Sequence, residues 1–280
     1  MIDSPTNSTV KALRALATSK GRREQHRFLV EGVRAVEDGL RAGFGPEVVL
    51  YNGDLLKRTE RGASLIRLLL SHEKASHVRM SLEASERALE AASDTQHPQG
   101  VVAAFRMVEW PLPQPREMPP LLLVCDAIQD PGNLGTILRA AEAAGVHAVW
   151  LSPGCVDLYN PKVVRAAMGA HFRLPIFAAS AWEVLSAQLA SLHSSEIRLF
   201  AADAGAAKPY DAVDWTQPAS LLVSNEAHGL SQEARQLAEQ HSGLISIPMA
   251  GGTESLNAAM SAAIILFEAA RQRRALGSHA

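Results

Sequence analysis

The chain is 280 residues long, 47% hydrophobic and 20% charged, with a formal net charge of −2 at neutral pH. That length suits two domains better than one, and the composition is that of a globular chain able to bury sizeable cores. No apolar run approaches the roughly 20 residues a membrane-spanning helix needs, and two cysteines without C-x-x-C spacing, Cys125 and Cys155, argue against a disulfide framework or structural zinc and suit a reducing cytoplasm.

Residues 1–20 are polar, lack the apolar stretch of a secretory signal and read as a flexible basic arm. The near-neutral total charge hides an uneven distribution. Residues 1–107 carry 16 Lys+Arg against 13 Asp+Glu, and the remainder 11 against 16. Lys20, Arg22, Arg23 and Arg27 fall close together, which marks them as candidate RNA-phosphate contacts. A frayed, solvated segment explains the same charges. From residue 21 to 108 the pattern predicts a small α/β domain. RFLV opens it, and Val33, Val36 and Leu40 then share one helical face that closes at Gly43. EVVLYN reads as a strand, ASLIRLLLSH as a helix, SLEASERALEAA as a helix capped by Ser81, and GVVAAFRMV as a closing strand.

Five prolines lie between Trp110 and Pro120. Proline fixes φ and removes a backbone donor, so residues 109–119 read as a linker. Beyond it, residues 120–280 alternate between apolar runs and helical patterns: LLLVCDAI, LGTILRAAEAAG, AVWLSPG, VVRAAMGAH, LPIFAA, AWEVLSAQLASL, IRLFAAD, SLLVSNE, SQEARQLAEQ, LISIPM and a long terminal helix from SLNAAM. This order predicts a parallel sheet covered by helices on both faces.

Ligands of open α/β sheets bind beyond the carboxyl ends of strands, and three strand-following loops carry the candidate chemistry. In the first, Pro131-Gly132 makes a turn, Asn133 is placed to cap a helix and Arg139 follows six residues later, so that the helix entrance suits a phosphate. An ordinary capped helix with a solvated arginine is the plain alternative. The Rossmann glycine fingerprint is not met, with only Gly132 and Gly135 present. In the second, a strand runs into Ser224, Asn225 and Glu226, followed by Gly229 and a helix capped by Ser231. In the third, Ile247-Pro248-Met249-Ala250-Gly251-Gly252 has little bulk and is able to lay backbone groups against a flat heterocycle. Ser255, Leu256 and Asn257 then open an alanine-rich helix.

Together and in this order, the three loops resemble the motifs of the SpoU/TrmH-type RNA ribose methyltransferases of the SPOUT superfamily: Asn-x-Gly…Arg-x-Ala, Asn-Glu-x-x-Gly-Leu, and Ile-Pro-Met…Ser-Leu-Asn. The segments HRFLVEGVRAVEDGLRAG and HPQGVVAAF are similar to the substrate-binding domain that precedes the catalytic domain in many members. The resemblance implies an α/β fold whose C-terminal parallel-sheet domain holds a deep trefoil knot, a homodimer, S-adenosyl-L-methionine as methyl donor, and a ribose 2′-hydroxyl of structured RNA, favouring ribosomal RNA, as acceptor. It places the donor on Ser224, Asn225, Gly229, Ile247, Met249 and Leu256. The reaction centre falls to Asn133, Arg139, Glu226, Ser255 and Asn257, with Arg139 also touching RNA. No metal or membrane partner is implied, and the location is cytoplasmic. Ser224 and Ala227 depart from the family pattern, which commonly has glycine at both positions. A transfer-RNA methyltransferase, a non-catalytic RNA-binding factor retaining the fold, and, on alternation alone, a nicotinamide-dependent oxidoreductase stay open as alternatives.

Overall fold

Phe28 and Val30 point to one side of a short apolar strand and Leu29 to the other, so β1 (Arg27–Glu31) is buried on both faces. The structure, a computed structural model that describes residues 1–74, 78–113, 119–192, 197–225 and 228–277, joins to it β2 (Val48–Tyr51), β3 (Ser81–Glu83) and β4 (Val101–Arg106). Among the described residues these form a sheet in the order β1-β4-β2-β3. The β1/β4 and β4/β2 pairs are antiparallel and β2/β3 is parallel. Helices Val33–Arg41 and Glu60–Lys74 bring Val36, Leu40 and Leu65 against Phe28, Val49 and Phe105. Ser8–Ala15 and Glu86–Ala92 bring Val10, Leu13 and Leu89 against Leu29, Leu50 and Val102.

Three sequence expectations fail in this unit. The arm over residues 1–20 is built into the fold: Ile2 bridges the end of β3, with its N–H donating to Glu83 O at 2.7 Å, and Val10, Leu13 and Leu16 are fully covered. Their i, i+3, i+6 spacing is a helical stripe that the polar composition around it hides. Ser81 caps nothing, because Ser81–Glu83 pairs with β2 and Ser85 caps the helix that follows. Arg22, expected at an RNA surface, is only 2% exposed. Its Nη1 donates to the carbonyls of Leu16 and Ala17 at 2.9 and 3.0 Å, and its Nη2 to Asp157 at 2.5 Å. The first helix ends at Ala15 and leaves carbonyls unpaired there, and the guanidinium satisfies them.

Asp157–Arg173, which alternation had placed inside the second domain, packs with this first unit, made of Met1–Glu109 and Asp157–Arg173. Phe28 meets the rings of Tyr159 and Phe172 with centroids 4.7 and 5.8 Å away. Gly39 is what lets helix Val33–Arg41 lie this close, since an added Cβ would fall 2.9 Å from Phe105 and 3.0 Å from Phe172. His171 is buried with Nε2 donating to Leu158 O at 2.8 Å, and burial lowers its pKa to about 4.

The second unit, Trp110–Val156 and Leu174–Ala280, is a sheet of β5 (Leu121–Asp126), β6 (Ala148–Leu151), β7 (Ile176–Ala178), β8 (Arg198–Ala202), β9 (Ala219–Ser224) and β10 (Leu244–Ile245). Among the described residues their order is β10-β8-β9-β5-β6-β7, parallel throughout. Helices Trp182–Ser191 and Gln232–His241 cover one face. Helix Ala258–Gly277 packs against both β9 and helix Pro131–Ala143. Every residue of β5 is buried, as a strand covered on both sides requires. Because β8, β9 and β5 are neighbours running the same way, the loops that leave their carboxyl ends open on one edge of the sheet. No helix among the described residues is long and apolar enough to cross a membrane.

Candidate active site

Asp126 closes β5 and is buried, and it organises the loops around it. Its Oδ2 accepts from the N–H of Ser231 at 2.7 Å, and its Oδ1 from the Ser152 hydroxyl at 3.2 Å. Its carbonyl accepts from Asn225 N–H at 3.2 Å. One carboxylate thus ties the loops after β5, β6 and β9 together. Sequence reasoning passed over Asp126, although an acid ending a run as apolar as LLLVC is itself a signal of a satisfied buried charge.

The second loop turns sharply: Gly229 N–H donates to Asn225 O at 2.9 Å, and Gly229 has φ of +65°, a conformation that side chains strain. Ser224, Asn225 and Gly229 from this loop, and Ile247, Met249 and Leu256 from the third, line one cavity of about 260 Å³. The six positions assigned to the methyl donor are therefore brought together, and Ser255 joins them. Val223, Leu230 and Ile245 add apolar wall. Ala202, Asp203 and Ala204, at the end of β8, also line it and were not foreseen. Asp203 was legible as the acid that ends the apolar run RLFAA. Its carboxylate accepts from Gly205 N–H at 2.9 Å and pairs with Arg235 at 2.6 Å. A cleft with aliphatic and thioether walls, small residues and backbone polar edges fits a nucleoside carrying a short charged chain.

The first loop corrects one detail. Helix Pro131–Ala143 is capped by Asp130, whose carboxylate accepts from Asn133 N–H at 2.7 Å, and Pro131 occupies the first turn where its missing donor costs nothing. Asn133 is consequently inside the helix, not at its cap. Its Oδ1 accepts from Asn257 Nδ2 at 3.0 Å. Asn257 Oδ1 in turn accepts from the N–H groups of Ala259 and Met260 at 3.0 and 3.2 Å, which fixes the direction of its amide. Arg139 is exposed on the face that carries Gly132 and Thr136. Six residues along a helix is a turn of roughly 240° away from Asn133, so the two do not share a side. Glu226 and Ala227 lie outside the described residues. Among the described residues no cluster of His, Cys, Asp or Glu could hold a metal ion. Burial pushes the Cys155 thiol up to about 11 and raises Cys125 as well, so neither is a nucleophile at neutral pH.

The SpoU rRNA Methylase family model matches residues 120–267, and a model of the MRM3-like substrate binding domain matches residues 7–103. The mitochondrial rRNA methyltransferase 3A of Danio rerio is 34% identical over 310 residues, spanning 95% of this chain and 67% of that protein. An AdoMet-bound rRNA methyltransferase from Sinorhizobium meliloti superposes with a TM-score of 0.82 at 30% identity, over 96% of this chain and 97% of the other. A crystal structure of an RNA 2′-O ribose methyltransferase gives 0.78 at 35% identity, over 98% and 99%.

Proposed function

The chain belongs to the SpoU rRNA methylase family, and from that membership we propose that it methylates a ribose 2′-hydroxyl of ribosomal RNA with S-adenosylmethionine as donor. The observation that carries the reading is convergence: two loops separated in sequence supply all six assigned donor contacts to one cavity. Asn257, which follows Leu256 in the chain, is held on Asn133. The AdoMet-bound relative aligned over nearly the whole chain supports the choice of donor.

When bound, the donor supplies an electrophilic methyl group. The chain's own residues must place the hydroxyl in line with it, and alignment alone contributes about 7–11 kcal/mol in favourable cases. Asn133, Ser255 and Asn257 position the hydroxyl and its loop, and Glu226, which lies outside the described residues, is assigned to the same reaction centre. Arg139, exposed on another face of the same helix, grips the target phosphate through its planar fork and so orients the ribose. A guanidinium keeps its proton in proteins, so the phosphate or a water takes the hydroxyl proton.

The finer features belong to the same proposal. A trefoil knot in the second unit is proposed from membership in the family, and the parallel sheet order is compatible with it. A homodimer is supported by Met260 and Phe267, 56% and 45% exposed and seven residues apart on one helix. The first unit holds RNA, in line with the substrate-binding model it matches. A cytoplasmic location is the remaining part of the proposal. The Arg139→Ala chain is expected to keep its calorimetric heat with S-adenosylmethionine while losing tritiated-methyl transfer to ribosomal RNA from a strain lacking the gene. Undiminished transfer removes Arg139 from the mechanism, and no heat from the unaltered chain at millimolar donor removes the reading.

A further inference from the structure

At one end of the first unit's sheet, the start of β1, the end of β4 and the entries to β2 and β3 lie together. Glu47 sits there, 7% exposed, and three arginines converge on it. Arg106 Nε donates to its Oε1 at 2.6 Å, Arg79 Nη1 stands 3.5 Å from the same oxygen, and Arg27 pairs with Oε2. Burial by itself would raise the Glu47 carboxyl, but the Arg106 hydrogen bond and the charges of Arg27, Arg106 and Arg79 outweigh it and hold the group below its usual range.

One guanidinium would neutralise one carboxylate, and here there are three. Arg27 and Arg106 are direct partners in the β1/β4 register, and like charges opposite one another destabilise a sheet. The surplus is therefore costly unless something outside the chain uses it. The side chains of Arg79 and Arg106 are 70% and 72% exposed. Each meets Glu47 through one nitrogen and turns the rest of its donor fork to solvent. Helix Ser19–Gln25 leads directly into β1, and its exposed Lys20 and Arg23 extend the basic surface.

We propose that Arg79 and Arg106, held in place with Arg27 by Glu47, form a phosphate grip that positions the RNA on the first unit. This rests on the RNA-methyltransfer reading above. Guanidinium forks match phosphate oxygens two at a time, and a buried carboxylate that fixes them beforehand removes part of the ordering cost of binding.

The test uses the full chain and deproteinised ribosomal RNA from a strain lacking the gene, in filter binding across a potassium chloride series. Replacing both Arg79→Gln and Arg106→Gln is expected to flatten the log–log salt slope by about 0.7–0.9 for each guanidinium. That corresponds to roughly 25- to 60-fold weaker binding near 0.1 M salt. The apparent KM for RNA rises, the heat of S-adenosylmethionine binding stays as it was, and Arg79→Lys with Arg106→Lys restores most of the slope. Arg61→Gln is the control, removing one exposed arginine from the separate Glu37 pairing without changing the slope. If the double variant loses its fold, seen as lost helical circular dichroism or an altered urea unfolding profile, Arg79→Gln alone carries the test with half the change. An unchanged slope, or an equal loss per charge in Arg61→Gln, overturns the grip. Failure of the unaltered chain to bind or methylate the RNA overturns the reading beneath it instead.

Discussion

Lys20, Arg22, Arg23 and Arg27 lie within eight residues, and folding gives them different work. Lys20 and Arg23 stay exposed, Arg27 joins the Glu47 cluster, and Arg22 is buried under two carbonyls and Asp157. Composition cannot separate them, because burial depends on where the preceding helix leaves its unpaired carbonyls. Replacing Arg22 with Met is expected to lower unfolding stability by about 2–3 kcal/mol, below the 3–5 typical of a broken buried pair, because Asp157 is partly exposed and regains water. The salt slope for RNA should stay as it is. Urea unfolding and the same filter assay check both halves, and a stable variant with weakened RNA binding would return Arg22 to the RNA surface. At this scale the grouping of Ser224, Asn225, Gly229, Ile247, Met249 and Leu256 around one cavity was legible only through the family resemblance, because residue type and spacing alone do not single them out. The cap at Asp130 was not legible: Asp130 and Asn133 are both good caps, and only the placement of Pro131 in the first turn decides between them.

Alternation identified most elements, but it could not say which sheet an element packs on. Asp157–Arg173 reads as one more helix of the βα series, yet its aromatic residues complete the core around Phe28. Ser81–Glu83 was misjudged for a related reason: a three-residue strand carries little periodicity, and pairing with β2 decides its conformation. A chain cut at residue 107 would strip Phe172 and Val164 of their partners, so substitutions in the full chain are the sounder way to question the first unit. His171 gives this segment a pH signature. Its folded pKa of about 4 lies below the ordinary 6.5, because burial disfavours the imidazolium. Between those values the unfolded chain binds more protons, so stability rises with pH. The contribution is fully present above about 6.5 and is lost as pH falls toward 4, with an upper bound of about 3 kcal/mol. Urea midpoints for the unaltered chain should drop across that window, and His171→Gln, which keeps a donor for Leu158 O, should flatten the drop. Parallel profiles for the two would show that another group governs acid sensitivity.

The whole molecule presents one surface that a lone chain explains poorly. Helix Ala258–Gly277 buries Ala262, Ile265, Leu266 and Ala269 within its own unit, while Met260 and Phe267 face outward with the half-buried Ile264 between them. The positions i, i+4 and i+7 form an apolar stripe on the side away from helix Pro131–Ala143 and β9. Covering a large apolar side chain is worth about 1.5–3 kcal/mol, and a twofold axis lets one stripe cover its own copy. The sequence hinted at this helix only through its small residues, because which of its two apolar faces is already occupied depends on the sheet order. The unaltered chain is expected to sediment as a dimer at micromolar concentration. Met260→Asp with Phe267→Asp should yield monomers with unchanged helical circular dichroism, since both side chains already stand in water. Sedimentation of the unaltered chain at single-chain mass near 10 μM would show that the stripe meets something other than its own copy.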